Sequence, residues 1–505
     1  MVEQFIEINT DRMRKPNHVE NDLFSNRRAI AGIFRQCAAA EVSIIVVGFN
    51  RLEKTRRCVE SILTYTADVD YELILVDSGS SDGTLEYFRS VECPKKKVVH
   101  ITQNLGVAYA YSVFSLNELG DYICFATNDL IMTKDWLKNL LLCMKSDPKI
   151  GMVTPMTSNS SNLQSLDFPY QSYEEMQQIA AQFNHSDPRK WEDRQRLIVL
   201  GTLFRKEALL AKGWPASDVG FFHDFVDDDE AFTIRHLGYR TVLAGDTWIC
   251  HDHNVRGGEG KDLEEFQRSL QIGRENFKSK HFGVDAWDDV NNFYSPYFDG
   301  LKPPSIPNQA YILGVDVRCG TPILDAKNWL RKNGLFSAEL SAFTQDPKYW
   351  ADLKTICEGG VFCDREEFLA DAFPQEYFDI VIADRPVNQY HEPQKLINDL
   401  FGLCKKGGLV VCKLRNTFTF QEYLYLLGQR KIYDQEYSYH IPAEVLQAAL
   451  EKHGVLQKRI ALPFMMDLES QETLRSILPG GFSAEQQNDL LNQMLSQEYL
   501  LFVQK

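Results

Sequence analysis

From position 42 onward the chain alternates short apolar runs with longer stretches of mixed polarity. The apolar runs are 42–47, 73–76, 98–101 and 122–126, and helix-like segments fall at 54–65, 84–91, 107–119 and 134–145. Runs this short, separated by helix-length stretches, predict βαβ units around a parallel sheet whose strands are buried on both faces. Ligands of such sheets gather outside the carboxyl ends of the strands. The residues that follow each apolar run therefore carry the candidate chemistry.

Upstream, residues 1–40 are polar and mixed. Residues 21–40 predict one amphipathic helix with Asp22 or Ser25 as its cap, so an N-terminal helical extension is expected there. Residues 155–195 look irregular, and regular pattern resumes at Leu197. The stretch 294–309 holds four prolines and little periodicity, which predicts a linker. Further strand-like runs follow at 311–317, 335–343, 378–383 and 409–413. The fold class expected is thus α/β twice over, a first domain at 41–293 and a second, Rossmann-like one at 310–505. There is no internal repeat at any fixed period.

A chain of 505 residues exceeds one ordinary core. Its 44% hydrophobic and 25% charged residues have the balance of a water-soluble globular protein. No window approaches the roughly 18 apolar residues of a membrane span. The first twenty residues scatter acids and lack an apolar run, so no signal peptide is expected. The eleven cysteines are dispersed without a C-x-x-C pair, which points to thiols in a reducing cytoplasm. The expected location is cytoplasmic, with a peripheral position at the inner membrane face compatible. A net charge of −16 argues against a nucleic acid partner, and the short run Lys95-Lys96-Lys97 reads as a solvated turn. An acidic protein tolerates a diphosphate substrate if a divalent cation screens it.

Four strand ends are polar. The first run ends in Gly48-Phe49-Asn50-Arg51 and the second in Asp77-Ser78-Gly79-Ser80-Ser81-Asp82-Gly83-Thr84. The third ends in Gln103-Asn104-Leu105-Gly106, and the fourth in Thr127-Asn128-Asp129. Asp82-Gly83 reads as a turn, with Ser81 or Asp82 capping the next helix. Asp77 closes an apolar run at a ligand edge.

In this order the segments resemble the inverting family 2 glycosyltransferases of GT-A fold. VSIIVVGFNR, ELILVDSGSSDGT, QNLGVAYAYSVF and FATNDLIMTKDWL carry the likeness, followed by GTLFRKEALLAKGW, DVGFFHDFVDDDEAFTIRHLGYR and GDTWICHDH. It covers roughly residues 42–255. The resemblance implies a nucleoside diphosphate sugar donor, UDP-sugars first, contacted by Asn50, Asp77, Asn104, Gly106, Thr127 and Asn128. Asp129 matches the family's metal-ligating acid, although the first acid of its D-x-D-like triplet is absent. Mn²⁺ or Mg²⁺ is the implied metal, and either is content with one or two protein oxygens plus phosphates and water. His251 aligns with a histidine that completes such a site, with Asp252 and His253 as neighbours. Arg256, Gly257 and Gly258 suit a loop over the diphosphate. The acceptor hydroxyl needs a general base, and the run Asp227-Asp228-Asp229-Glu230 supplies candidates. Asp227 aligns with the family's base, but Val226 stands where an acid precedes it, so Asp227 and Asp228 both remain open. Asp229 and Glu230 read as a solvated acidic helix start.

The segment ILGVDVRCGTPIL resembles the glycine-rich first motif of S-adenosylmethionine-dependent methyltransferases, and the likeness extends over about 310–416. It implies cofactor contacts at Asp316 and Gly320, with Glu339 as the ribose acid. Arg318 and Pro322 replace two of the motif's glycines, which disfavours methylation and favours a degenerate module for acceptor recognition or assembly. Three readings follow: a metal-dependent glycosyltransferase with an accessory domain, a bifunctional enzyme that also methylates, and a non-catalytic sugar-nucleotide-binding scaffold. A nucleotidyltransferase lacks support, because the first loop has one glycine and no lysine. The implied acceptor is a glycan, a lipid-linked oligosaccharide or a protein such as flagellin or another surface protein. A bacterial origin is inferred from the domain pairing.

Overall fold

The computed structural model describes residues 4–11, 40–114, 116–213, 216–221, 224–252, 263–420, 439–463, 468–476, 481 and 483–505. The chain divides into two compact units, Met1–Asn291 and Asn292–Lys505. Each is built on its own sheet.

The first sheet contains β1 (Gln4–Ile8), β2 (Val42–Gly48), β3 (Tyr71–Asp77), β4 (Lys96–Ile101), β5 (Tyr122–Thr127), β6 (Leu130–Ile131), β7 (Ile150–Thr157), β8 (Trp191–Asp193), β9 (Thr202–Arg205) and β10 (Arg240–His251). Their order is β1-β4-β3-β2-β5-β9-β7-β10-β6, with β8 on β10. From β1 to β5 every pairing is parallel; β9 then enters antiparallel between β5 and β7. All seven residues of β2 are buried, as a strand covered on both faces requires. Alternate residues serve separate cores. Ile44, Val46, Leu73 and Leu75 pack into one, while Ile45, Val47, Ile74 and Val76 pack into the other.

Several expectations are corrected here. Within residues 1–40, Gln4–Ile8 is not helical but an edge strand on β4, and the helix expected over 21–40 lies outside the described residues apart from Ala40. Of Lys95–Lys97 only Lys95 stays in a turn: β4 begins at Lys96, and Lys97 is buried with its ammonium 2.8 Å from Glu72. The stretch 155–195 carries the helix Tyr173–Phe183, whose Met176 and Ala180 pack beside Trp248. The helix expected over 107–119 stops at Tyr111.

The second sheet contains β11 (Ala310–Val315), β12 (Ala338–Thr344), β13 (Val361–Cys363), β14 (Phe378–Ala383), β15 (Cys404–Arg415), β16 (Val455–Pro463) and β17 (Ser496–Gln504). The order β13-β12-β11-β14-β15-β17-β16 is parallel through β15 and closes with two antiparallel strands. Strand order reverses between β11 and β14, which is where doubly wound sheets open a crevice. The proline-rich stretch expected as a linker is packed into this unit. Phe298 is fully buried and stacks on Trp329 at 4.9 Å, and the Lys458 ammonium donates to the carbonyls of Tyr297 and Asp299.

Candidate active site at the strand ends

The loops leaving β2, β3 and β5 are tied to one another through Asn50. Asn50 and Arg51 both adopt left-handed backbone conformations, φ 55° and 62°, which non-glycine residues hold only when surroundings fix them. Here the Asn50 amide donates to Ser80 Oγ at 2.9 Å, and its side-chain Oδ1 accepts from the Ser81 amide at 3.0 Å. Its carbonyl accepts from Asn128 Nδ2 at 2.9 Å. Asp82 braces the same region: it accepts from the Leu52 amide, heading the helix Leu52–Tyr65, and from Thr84, heading the next. Gly79 sits at φ 76°, where an added Cβ would lie 2.8 Å from the Gln103 backbone. The loops after β3 and β4 therefore touch backbone to backbone. Asn104 shapes the second of these, its Oδ1 accepting from the Gly106 amide at 2.9 Å.

Asp77 ends β3 fully buried. Its carboxylate accepts from the Ser80 amide and pairs with His100 Nδ1 at 2.7 Å. His100 carries no signal in the sequence, because nothing in the spacing of β4 announces which face it takes. Asn128, also buried, gives its second bond to Thr55 Oγ1 at 2.8 Å and so anchors rather than projects.

Asp129 follows β5, and β6 then runs antiparallel to the end of β10. Leu130 pairs with His251 and Ile131 with Cys250, while the Asp252 amide donates to the Asp129 carbonyl at 2.8 Å. This short ladder brings two residues 122 positions apart to one place. His251 Nε2 lies 3.6 Å from Asp129 Oδ2. The other ring nitrogen, Nδ1, lies 3.1 Å from the Asn159 carbonyl. A carbonyl only accepts, so Nδ1 donates to it and Nε2 is the ring nitrogen turned toward the carboxylate. Thr127 Oγ1 donates to Asp129 Oδ1 at 2.8 Å. Cations gather alongside: Arg51 is 3.8 Å from Asp129, and Arg57 is 3.1 Å from Asp252, whose carbonyl accepts from the Lys54 ammonium. Asp252 is therefore held by cations. Among the described residues no group of three or more His, Cys, Asp or Glu side chains is placed to hold a metal. His253, Arg256, Gly257 and Gly258 lie outside the described residues.

The acidic run heads the helix Val226–His236, and its four carboxylates have separate surroundings. Asp228 is buried and bound to Arg196 Nε at 2.6 Å. Asp229 and Glu230 are not the solvated helix start expected from their order. Asp229 is fully buried against Lys280 at 2.7 Å and His281 at 2.8 Å, and Glu230 is buried against Lys212 at 2.8 Å. Burial alone would raise the Asp229 carboxyl, but Lys280, His281 and Lys212 hold it well below the usual carboxylate range. Asp227 differs from all three. It is partly exposed, and burial of its carboxyl followed by the charge of Asp228 pushes it well above the ordinary range, against a counter-pull from the Val199 amide and Arg196. A carboxylate displaced upward in this way has the protonation behaviour of a general base.

In the second unit Asp316 follows β11 at φ 48° and is held by three hydrogen bonds. It accepts from the Gln345 amide and side chain at 2.8 Å each, and from the Tyr390 hydroxyl at 2.7 Å. Arg318 adopts φ 52°, and Gly320 at φ 102° precedes the helix Thr321–Lys332. Glu339 is a correction. It is second in β12, paired in register with Tyr311 near the start of β11, and so lies at the edge opposite the strand ends. The residues following β12 are Gln345 and Asp346.

Comparison with known proteins agrees with the geometry of the first unit. Residues 43–203 match the family Glycosyl transferase family 2, so the first unit carries a domain of that family. An uncharacterized glycosyltransferase of Bacillus subtilis, YfnE, is 29% identical over 96 residues, 19% of this chain and 24% of that relative. An uncharacterized glycosyltransferase of Rickettsia felis is 28% identical over 107 residues, 21% of this chain and 18% of that relative. The chain thus spans about a quarter or less of the length of these curated relatives. Among solved structures, the mannosyltransferase PcManGT of Pyrobaculum calidifontis, in complex with GDP-Man and Mn²⁺, is 17% identical with a TM-score of 0.32, covering 53% of this chain and 80% of that one. A SAM-dependent methyltransferase of Archaeoglobus fulgidus is 16% identical with a TM-score of 0.28, covering 48% of this chain and 100% of that one. Among the described residues no helix is long and apolar enough to cross a membrane.

Proposed function

We propose that the first unit transfers a sugar from a nucleoside diphosphate sugar to a hydroxyl acceptor, with inversion at the anomeric carbon and with a divalent cation at Asp129 and His251. The observation that carries this reading is the approach of His251 Nε2 to Asp129 Oδ2 at 3.6 Å. One carboxylate oxygen and one imidazole lone pair, with Nδ1 fixed by a backbone carbonyl, make a donor set suited to Mn²⁺ or Mg²⁺ that completes its shell with phosphate and water. The ion would stabilise the charge gathering on the departing diphosphate. Arg51, Lys54 and Arg57 add positive charge on the same side. Asn50, Asp77, Asn104, Gly106, Thr127 and Asn128 form the donor end, where the strand loops are cross-tied before any ligand arrives. Asp77 acts there through His100, and Asn128 through the Asn50 carbonyl.

In the transfer step the acceptor oxygen forms a bond to the anomeric carbon as the bond from that carbon to the diphosphate oxygen breaks. The acceptor proton passes to a carboxylate. Asp227 fits this role because its carboxyl is pushed upward and, among the described residues, no ion pair holds it, while Asp228 is held by Arg196. The acceptor is a glycan, a lipid-linked oligosaccharide or a protein hydroxyl. For the second unit, an Asp316 already engaged by Gln345 and Tyr390 and a left-handed Arg318 support a non-methylating recognition or assembly module over a bifunctional enzyme.

A thermal-shift screen of UDP-, GDP- and dTDP-sugars with and without Mn²⁺ tests the reading. A nucleotide sugar at a hundredfold above its Kd adds about 2.7 kcal/mol, and the shift should grow with Mn²⁺. No shift with any donor, with or without metal, sinks the proposal. S-adenosylmethionine in the same screen should give no shift.

A further inference from the structure

The loop that follows β7 reaches both halves of the candidate site. At its start it grips the metal-side histidine. Ser158 Oγ accepts from the His251 amide at 3.0 Å and lies 3.2 Å from the His251 carbonyl. The Asn159 side-chain amide donates to that carbonyl as well, and its own carbonyl meets the imidazole Nδ1. A few residues on, the loop holds residues 194–200, which run between β8 and β9 as neither helix nor strand. Asn162 Nδ2 donates to the Arg196 carbonyl at 2.5 Å. The Gln164 side chain bonds both backbone groups of Ile198, accepting from its amide at 2.6 Å and donating to its carbonyl at 3.2 Å. Arg196 is the residue whose guanidinium holds Asp228, and the Val199 amide hydrogen-bonds the Asp227 carboxyl. One loop therefore connects the imidazole to the acids that head the helix Val226–His236.

Gln164 is fully buried. An amide is costly to bury unless bonded, and an apolar side chain would fill the space without that requirement. A segment with no ladder of its own must find partners for its buried backbone groups elsewhere, and Gln164 stands in for the missing neighbour strand. The loop is also strained: Asn159, Asn162 and Leu163 take left-handed φ of 50°, 61° and 56°. Non-glycine residues keep such conformations only where their surroundings over-determine them. Transfer needs the anomeric carbon and the base at a fixed separation, and a displacement of about 1 Å costs up to about a hundredfold in rate. We propose that Gln164 is a positioning residue for transfer: by clamping residues 194–200 to the loop that orients His251, it fixes how far the acidic helix start stands from the metal side.

This inference rests on the transfer reading above, and its test separates the two. The full chain is given Mn²⁺ and the tightest binder among UDP-glucose, UDP-N-acetylglucosamine, GDP-mannose and dTDP-glucose. Turnover is read as release of nucleoside diphosphate with water as acceptor. The water oxygen bonds the anomeric carbon, the bond from that carbon to the diphosphate oxygen breaks, and the water proton passes to Asp227. In Gln164→Met, kcat should fall about tenfold to a hundredfold, with donor Kd and Mn²⁺ requirement kept within about twofold of wild type. The acid limb of kcat/KM should move to higher pH, because Asp227 loses the Val199 amide that counters its upward displacement. That variant takes the partner from both Ile198 backbone groups, so its Tm should fall. Asn162→Gly separates rate from stability: glycine takes φ 61° without strain, so Tm should hold while kcat drops. An unchanged kcat in either variant, or an acid limb that stays in place in Gln164→Met, overturns the inference and leaves the transfer reading standing. Loss of donor or Mn²⁺ affinity equal to the loss of kcat overturns it as well, since the loop would then act on the donor side. A wild type that binds donor but releases no diphosphate also overturns it. If no nucleotide sugar binds the wild type, the donor site fails and the inference with it.

Discussion

Asp227 and Asp228 are adjacent carboxylates, and their replacement by asparagine separates catalysis from stability. Asp228 is buried with Arg196, the two side chains 6% and 7% exposed, and Nε to Oδ1 is 2.6 Å. Asp228→Asn keeps an oxygen for that contact but removes the charge, leaving a guanidinium buried without its counter-ion. Breaking a buried pair from one side costs about 3–5 kcal/mol. At about 2–4 °C per kcal/mol for a unit of this size, Tm should fall by roughly 6–20 °C. Asp227→Asn should do the reverse. A carboxyl whose folded value is raised binds more protons folded than unfolded, so its stability contribution declines as pH rises from the unfolded carboxylate value toward the raised one. At neutral pH the asparagine removes that penalty, and Tm should hold or increase. A positioned general base supplies roughly 10²–10⁴ in rate, so kcat/KM for transfer should fall by that factor with donor affinity kept. In wild type the acid limb of the kcat/KM profile should lie above the ordinary carboxylate range. Steady-state transfer assays and thermal melts on both variants decide the matter. Full activity in Asp227→Asn, or a hundredfold loss in Asp228→Asn with Tm unchanged, would refute the assignment.

Four further outcomes are expected. His251→Ala should weaken apparent Mn²⁺ affinity by at least about tenfold, read as loss of the Mn²⁺-dependent part of the donor-induced Tm shift; an undiminished metal effect excludes the imidazole. Lys280→Met removes the ammonium between Asp218 and Asp229, 2.5 and 2.7 Å away, and should cost about 3–5 kcal/mol in a denaturant melt. The same cluster gives wild type a pH signature: the lowered Asp229 carboxyl stabilises above the unfolded carboxylate value, a gain lost as pH falls, whereas Lys280, raised to about 12, stabilises below the unfolded lysine value, a gain lost as pH climbs through 12. Gly79→Ala forces a Cβ to 2.8 Å from the Gln103 backbone at φ 76°, which should cost about 1–3 kcal/mol and weaken donor binding; an unchanged melt would show that the two loops do not meet.

Local pattern carried a good deal. The apolar runs ending at Val47, Val76, Ile101 and Ala126 lie within buried parallel strands, because a doubly covered strand must be apolar at consecutive positions whatever surrounds it. The same runs fixed which residues stand at the ligand edge, including Asn50, Asp77 and Asp129. Other features depend on partners distant in sequence. Lys97 looks solvated among its neighbours but enters β4 because Glu72 lies beside it in β3. Glu339, expected as the ribose acid, stands second in a strand that continues to Thr344, since register is set by pairing with β11 rather than by where apolarity stops. The four acids from Asp227 to Glu230 are nearly equivalent as letters. Arg196, Lys280, His281 and Lys212 make them unlike, and each of those partners arrives from another segment. The sequence by itself determined the layered α/β plan and the row of polar strand ends, since periodicity and turn chemistry act over a few residues. The tertiary structure alone decided the approach of His251 to Asp129, the pairing of Asp77 with His100 and the burial of Asp229 against Lys280 and His281. Charge, distance and burial are properties of neighbours in space, and chain order does not encode them locally.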